Sequence, residues 1–496
     1  MRIHIEGNVS SYYVQTLCLV FYPGAKFTQQ EQRDDAPGAT VVVEELTWGA
    51  RAAVTLEDGK RKVTEVAEQN NVEGYDMQRT VKMAVGKAFF AAGKKMHHYT
   101  PQWGILTGVR PGKLALDMML RGMNRTEVKR MLRNEMFVYP KKAALVTEIA
   151  YREQTLLKKL DPAGCSIYIS IPFCPTRCNY CSFVSFTSPK LLQLIPAYLD
   201  RLCEDITKTF EIIRALGKKV FTVYIGGGTP TTLNEQQLAR LLSHINQYLD
   251  FDTLTEFTLE AGRPDTITAE KLNIAASFGV TRVSINPQTL NDQVLKQIGR
   301  CHTSKEFFDA YELARKSGIS HINTDLIAGL PDDTFISFSK TVDGILSLSP
   351  DNLTIHTFCV KKAADILKEG ENVYSRSGGD VGKSLDYAYV CAKNRGYFPY
   401  YIYRQKNTVG NFENVGFSRE GAEGYYNILM MEELHSVFAC GAGAVTKLVS
   451  RDRKHIQRIF APKYPYEYLD RSRKSTVDDH AFAQMQTFYQ TYDSTL

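Results

Sequence analysis

"SIYISIPFCPTRCNYCSF", Ser166–Phe183, decides how the rest of the chain is read. An apolar run rich in isoleucine ends at a proline, and three of the chain's ten cysteines follow within eight residues. The run is a strand signal, and the proline closes it. Cys174, Cys178 and Cys181 are spaced C-x3-C-x2-C. A thiolate is a soft ligand that suits zinc or an iron–sulfur cluster. A closed zinc site wants four protein ligands, often as two close pairs, and no partnered C-x2-C pair lies downstream. Cys165 sits at the other end of the strand and should point elsewhere. A cubane cluster can use three cysteines and leave one iron open to a non-protein ligand. On the residues alone, a zinc site and plain buried thiols both stay open.

Working outward, apolar strand-like runs alternate with helical ones. After "SIYISIP" come "VFTVYIGGG", "EFTLEAG", "RVSINPQ", "INTDLIAGL" and "NLTIHTF". Between them the helical period falls on Leu191–Leu216, Glu235–Tyr248, Ala269–Phe278, Ser304–Ser317 and Phe335–Leu348. Near-continuous apolar strands alternating with helices predict a parallel sheet covered by helices. Six such units predict a (β/α) barrel, partial or complete, with chemistry at the strand C-terminal ends. Upstream, "MRIHIEG", "QTLCLVFYP", "ATVVVEEL" and "RAAVTLEDG" read as short strands, and Met77–Leu160 reads as helices around a loop at Pro101–Ala115. After Lys361 the period weakens until "YFPYYIYRQKN", read as a late strand. The expected layout is α/β: a smaller α+β domain over 1–160, a barrel core over 161–400, and a C-terminal region over 401–496.

The chain has 496 residues, 44% apolar and 23% charged, the composition of a soluble globular protein of two or three domains. No apolar run approaches the ~20 residues that span a bilayer, so no membrane association is expected. The opening residues lack a small-residue cleavage site, and the scattered cysteines are not a disulfide framework; a reducing cytoplasm is the expected location. Of the net charge of +6, Asp76–Leu160 carries +11 (17 Lys/Arg minus 6 Asp/Glu), leaving −5 elsewhere. This basic stretch suits solvated helix faces or an anionic small molecule. It lacks the interleaved aromatics of an RNA-binding pattern, so nucleic acid is not expected as a partner.

C-x3-C-x2-C after a first barrel strand resembles the radical S-adenosylmethionine (SAM) superfamily. "YISIPFCPTRCNYCSF", "IGGGTPT", "LEAGRPD", "INPQTLNDQVLKQIGRCHT" and "NTDLIAGLPDDT", in that order, resemble the oxygen-independent coproporphyrinogen III oxidase family. "WGILTGVRPGKLA", "TIHTFCVKKAADIL", "YRQKNTVGNFENVG" and "CGAGAVTKLV" resemble its HemZ branch. The resemblance implies a radical SAM-type barrel and a 4Fe–4S cluster on Cys174, Cys178 and Cys181, its open iron chelated by SAM. It implies cofactor contacts from Tyr168, Tyr180, Gly227, Gly228, Thr229 and Glu260. Gln288, Arg300 and Asp325 match positions that contact a second SAM. Physically, Gly226–Gly228 end a strand without side chains, so a ligand can approach the backbone.

The implied reaction is oxidative decarboxylation of two propionates of coproporphyrinogen III to vinyl groups, giving protoporphyrinogen IX in haem biosynthesis. It needs a reductant such as flavodoxin or ferredoxin. Arg110, Lys113 and the basic residues of "VKRMLR" are candidates for the substrate carboxylates. Two departures matter: Ser170 stands where the best-studied oxidases have histidine, and Phe183 stands where they have a further cysteine. The "C-x-F" ending resembles the sister haem chaperones. The rival reading is therefore a haem-binding or haem-delivery relative, with His302, His356, Tyr400, Tyr401 or Tyr403 as axial ligand.

Overall fold

The structure is a computed structural model; it describes residues 1–27, 36–108, 110–181, 185–359, 379–405, 408–473 and 475–493. The chain divides into two compact units. Of the described residues, the first takes 1–151, 379–382 and 402–413, and the second 152–359, 383–401 and 414–493. The segment expected as one C-terminal region, 401–496, is thus shared between the two.

The first unit begins β1 (Arg2–Glu6), α1 (Ser11–Phe21), β2 (Gly38–Leu46), β3 (Gly49–Asp58), β4 (Arg61–Asn70) and α2 (Met77–His97). Its sheet runs β1-β2-β3-β4, with β1 parallel to β2 and the other pairs antiparallel. "QTLCLVFYP", expected as a strand, is the second half of helix α1. A parallel pair needs a crossover, and α1 supplies it between β1 and β2. Val14, Leu17, Cys18 and Phe21 fall on one buried stripe of that helix. Phe21 packs on Phe89 of α2, and a Cβ at Gly93 would meet the Phe21 ring at 2.5 Å. Next come α3 (Pro111–Leu120), α4 (Arg125–Asn134) and α5 (Pro140–Leu157), so the expected loop ends at Pro111, which opens α3 as its first residue.

The second unit starts with β5 (Gly164–Ile171), then α6 (Pro189–Leu192), α7 (Ile195–Ala215), β6 (Lys219–Gly227), α8 (Glu235–Asn246), β7 (Glu256–Glu260) and α9 (Ala269–Ser277). It continues with β8 (Arg282–Ser284), α10 (Asp292–Gln297), α11 (Ser304–Lys316), β9 (His321–Ala328), α12 (Phe335–Ser347), β10 (Asn352–Thr357) and α13 (Asp380–Asn394). The remaining elements are β11 (Phe398–Arg404) and β12 (Glu413–Ser418), whose residues 402–404 and Glu413 count with the first unit, then α14 (Tyr425–Glu432), β13 (Val437–Cys440), β14 (Val445–Val449), β15 (Ile456–Phe460), α15 (Pro465–Leu469) and α16 (Asp479–Tyr492).

The second sheet has eleven strands in the order β11-β12-β10-β9-β8-β7-β6-β5-β13-β14-β15. β5 to β10 run parallel in sequence order, and β13 adds a further parallel strand beside β5. This is the expected partial barrel, open between its outer strands and bordered by antiparallel β12 and β14. β5 is buried at seven of eight positions, which explains its unbroken apolar run. The helices start where the sequence caps them: Asn234 and Thr303 each close a capping box, on α8 and α11. No described helix is long and apolar enough to cross a membrane.

Candidate cofactor site at the strand ends

The cysteine loop leaves the C-terminal end of β5 and is pinned on both sides. The Gly228 amide donates to the Ile171 carbonyl at 2.8 Å and the Thr229 amide to Phe173 at 2.8 Å, tying it to the end of β6. The Cys174 amide donates to Phe186, and the Asn179 amide to Ile298 just past α10, at 3.1 and 3.0 Å. Cys174 and Cys178 are buried, and the Cys181 amide donates to the Cys178 carbonyl at 3.0 Å. The loop closes onto β6 only because Gly228 lacks a side chain: a Cβ there would lie 2.6 Å from the Phe173 carbonyl and 2.9 Å from Cys174 Sγ. Gly227 has φ +116, in the region that favours glycine.

The thiols are not alone. Thr229 Oγ1 lies 3.3 Å from Cys174 Sγ, and Arg263 donates from Nη1 to Cys178 Sγ at 3.4 Å. This donor set fits a cluster: three soft ligands on one loop, a side-chain-free wall, and polar hydrogens directed at two sulfurs. Among the described residues, no three His, Cys, Asp or Glu side chains close on a single ion. A cubane gives each cysteine its own iron and does not require that closeness.

Beside the loop, Arg300 donates from Nε and Nη2 to Tyr180 Oη at 3.2 and 3.0 Å, and from Nη1 to the Gly262 carbonyl at 2.8 Å. Its fork is therefore partly engaged within the protein. Glu260 ends β7 and accepts a hydrogen bond from Tyr224 Oη. Burial raises its carboxyl to about 7; Tyr224 opposes the rise, Asp325 adds to it, and the Gly227 amide opposes it. Asp325, on β9, accepts from Asn323 Nδ2 at 2.8 Å and lies 3.6 Å from His356 Nε2. Burial alone would push Asp325 up, but His356, Asn323 and Thr354 together hold it below the usual carboxylate range.

Gln288 is pinned to the same strand: its amide donates to the Asp325 carbonyl at 3.1 Å, and its carbonyl accepts from Ile327 at 2.9 Å. Its φ of 68 is a left-handed conformation rare for a residue with a side chain, held by those two bonds. The stretches picked out in the sequence are thus joined by direct contacts: loop to Thr229, loop to Arg263, Tyr180 to Arg300, and Gln288 to Asp325.

Tyr168 belongs to a stack that sequence reading saw only in part. Its ring lies 6.1 Å from Tyr224 and 6.4 Å from Tyr426, and those two lie 4.4 Å apart, all nearly parallel. Tyr224 pairs with Tyr168 in the sheet register and sits two residues before Gly226, so period 2 could have found it. Tyr426 comes from α14, in a segment whose period gave no signal. Ser170 donates to the Ala442 carbonyl at 2.9 Å, a contact with the segment after β13.

Of the other candidates, Arg110 and Lys113 lie at the start of α3 and "VKRMLR" on α4, all in the first unit. His302, Tyr400 and Tyr401 are buried. Phe183, Val360–Leu367 of "TIHTFCVKKAADIL", and Lys406 and Asn407 of "YRQKNTVGNFENVG" lie outside the described residues.

The chain is similar to known proteins. The radical SAM superfamily matches residues 168–344. The oxygen-independent coproporphyrinogen-III oxidase-like protein HemZ of Bacillus subtilis is 37% identical over 375 residues, 75% of either chain. This chain belongs to that family of radical SAM proteins. The heme chaperone HemW of Bacillus subtilis is also similar, at 38% identity over 56% of this chain and 70% of HemW. Among solved structures, the coproporphyrinogen III oxidase HemN of Escherichia coli, a radical SAM enzyme, is 23% identical, with a TM-score of 0.47 over 59% of this chain and 67% of that one. The superfamily implies a 4Fe–4S cluster and SAM as the cofactors of this HemZ-like chain.

Proposed function

We propose that the protein is an oxygen-independent coproporphyrinogen III dehydrogenase, converting two propionates to vinyl groups with loss of two carbon dioxide molecules. The observation that carries the reading is the pinned cysteine loop against the side-chain-free end of β6, with Glu260 at the end of β7, Gln288 just past β8 and Asp325 within β9. Cys174, Cys178 and Cys181 would hold the cluster. The bound cofactors would supply an organic radical able to take hydrogen from an unactivated carbon.

The chain's own residues would bind and orient. Glu260 presents a carboxyl to a cofactor ammonium or ribose, and Gly227 and Gly228 let the methionyl group reach the backbone. Arg300 has five N–H groups and spends three on Tyr180 and Gly262, which leaves two (five minus three) for the carboxylate of a second SAM. Gln288 and Asp325 offer an amide and a carboxylate to the same molecule. The Tyr168–Tyr224–Tyr426 stack, tied to Glu260 through Tyr224, would give aromatic surface for a tetrapyrrole to pack on. A low-potential donor such as flavodoxin or ferredoxin would supply electrons.

The kinship with HemW favours one second reading, a haem-handling protein that keeps the cofactors without this reaction. Anaerobic incubation of reconstituted protein with coproporphyrinogen III, SAM and reductant separates the two. Mass analysis should show loss of two carboxyl groups. Unchanged porphyrinogen, together with a Soret band on adding haem, would reject the dehydrogenase.

A further inference from the structure

We propose that Arg263 sets the reduction potential of the cluster, making it easier to reduce. The inference rests on the reading that Cys174, Cys178 and Cys181 hold that cluster.

Arg263 follows β7 and is only 4% exposed. Its guanidinium is fixed on every side. Nη1 donates to Cys178 Sγ at 3.4 Å and to the Thr176 carbonyl at 3.3 Å. Nη2 donates to Thr176 Oγ1 at 2.7 Å and Asp265 Oδ2 at 3.3 Å, and Nε to Asp265 Oδ1 at 3.1 Å. Thr176 lies between the first two cysteines, so one planar group grips the loop and touches a ligand sulfur. Arginine stays charged in proteins, and its rigid fork keeps the N–H aimed.

Reduction adds one electron from a low-potential donor to the cluster, from the 2+ to the 1+ state, with no bond made or broken. The added negative charge spreads onto the sulfurs. A buried cation and an N–H directed at one of them stabilise the reduced state over the oxidised one, because charge, hydrogen bonds to sulfur and exposure set such potentials. Solvent screens this little at 4% exposure. Asp265 offsets part of the field. The two residues of one ion pair should therefore act on the potential with opposite sign, which a clamp that only held the loop would not do.

The test is a redox titration of the anaerobically reconstituted full chain with dithionite and mediators, followed by electron paramagnetic resonance, without SAM. In Arg263→Gln with full iron content, the reduced-to-oxidised ratio at a fixed potential should fall about tenfold, a midpoint about 59 mV lower for a one-electron couple. Asp265→Asn should move the midpoint up, and Arg263→Lys should fall between wild type and Arg263→Gln. If Arg263→Gln does not hold its cluster, the sign of Asp265→Asn decides. Equal midpoints, shifts in the same direction, or no rise in Asp265→Asn overturn the proposal. The cysteine reading fails separately, if a triple Cys174→Ala, Cys178→Ala, Cys181→Ala protein still shows a four-iron cluster.

Discussion

Glu413 is fully buried and Glu260 only partly so, and the structure treats their carboxyls oppositely. In the first unit, Glu413 is fully buried, ion-paired with Lys142 and bonded to Trp103 Nε1 at 2.9 Å. Burial would raise its carboxyl, but Lys142 and Trp103 hold it below the ordinary value. In the second unit, Glu260 has a tyrosine hydroxyl as its hydrogen-bonded side-chain partner and another carboxylate nearby, and it rises to about 7. The first is a finished internal pair. The second keeps capacity for a cation that none of the described residues supplies, which is how a ligand site differs from a structural one.

The largest expected effect is on the finished pair. Lys142→Met takes the paired ammonium away from buried Glu413 and should cost about 3–5 kcal/mol in urea unfolding. The double variant with Glu413→Gln should recover much of that loss, because the strandedness of the charge is the cause. A loss under about 1 kcal/mol would erase the contrast drawn above.

The next effect is a pH dependence of opposite sign in the two regions. The Glu260 carboxyl rises on folding, so its contribution is complete below the ordinary 4.5 and lost as pH rises through about 7. The change amounts to at most about 3 kcal/mol, and Glu260→Gln should flatten it. The Glu413 carboxyl falls on folding, so its contribution is present above the ordinary carboxylate range and lost as pH drops. Stability against pH for Glu260→Gln and Glu413→Gln, each compared with wild type, reads both slopes. Matching slopes would break the comparison. The smallest effect sharpens it: Tyr224→Phe removes a bond that lowers the Glu260 carboxyl, so its midpoint by infrared titration should rise by less than about one pH unit.

These contrasts also mark what the sequence could tell. The six parallel strands were legible because burial on both faces writes an unbroken apolar run. The cysteine loop was legible because its ligands are local. Helix α1 was misread because "QTLCLVF" is apolar enough for either period, and the need for a crossover arises only once β1 and β2 are known to run parallel. Arg263 stood inside a quoted motif, yet its sulfur partner is 85 residues away. The Trp103–Glu413 bond joins residues 310 positions apart. Such pairings depend on the closed fold, and residue type alone carries no trace of them. Tyr426 was missed for the same reason.

The central proposal is that the second unit carries out two SAM-dependent steps on one tetrapyrrole. Counting 5′-deoxyadenosine formed per product in the anaerobic reaction with coproporphyrinogen III tests it most directly. The account predicts two molecules for each protoporphyrinogen IX, and none from the triple cysteine variant. Protoporphyrinogen formed without 5′-deoxyadenosine, or reduced protein that yields neither, would contradict it.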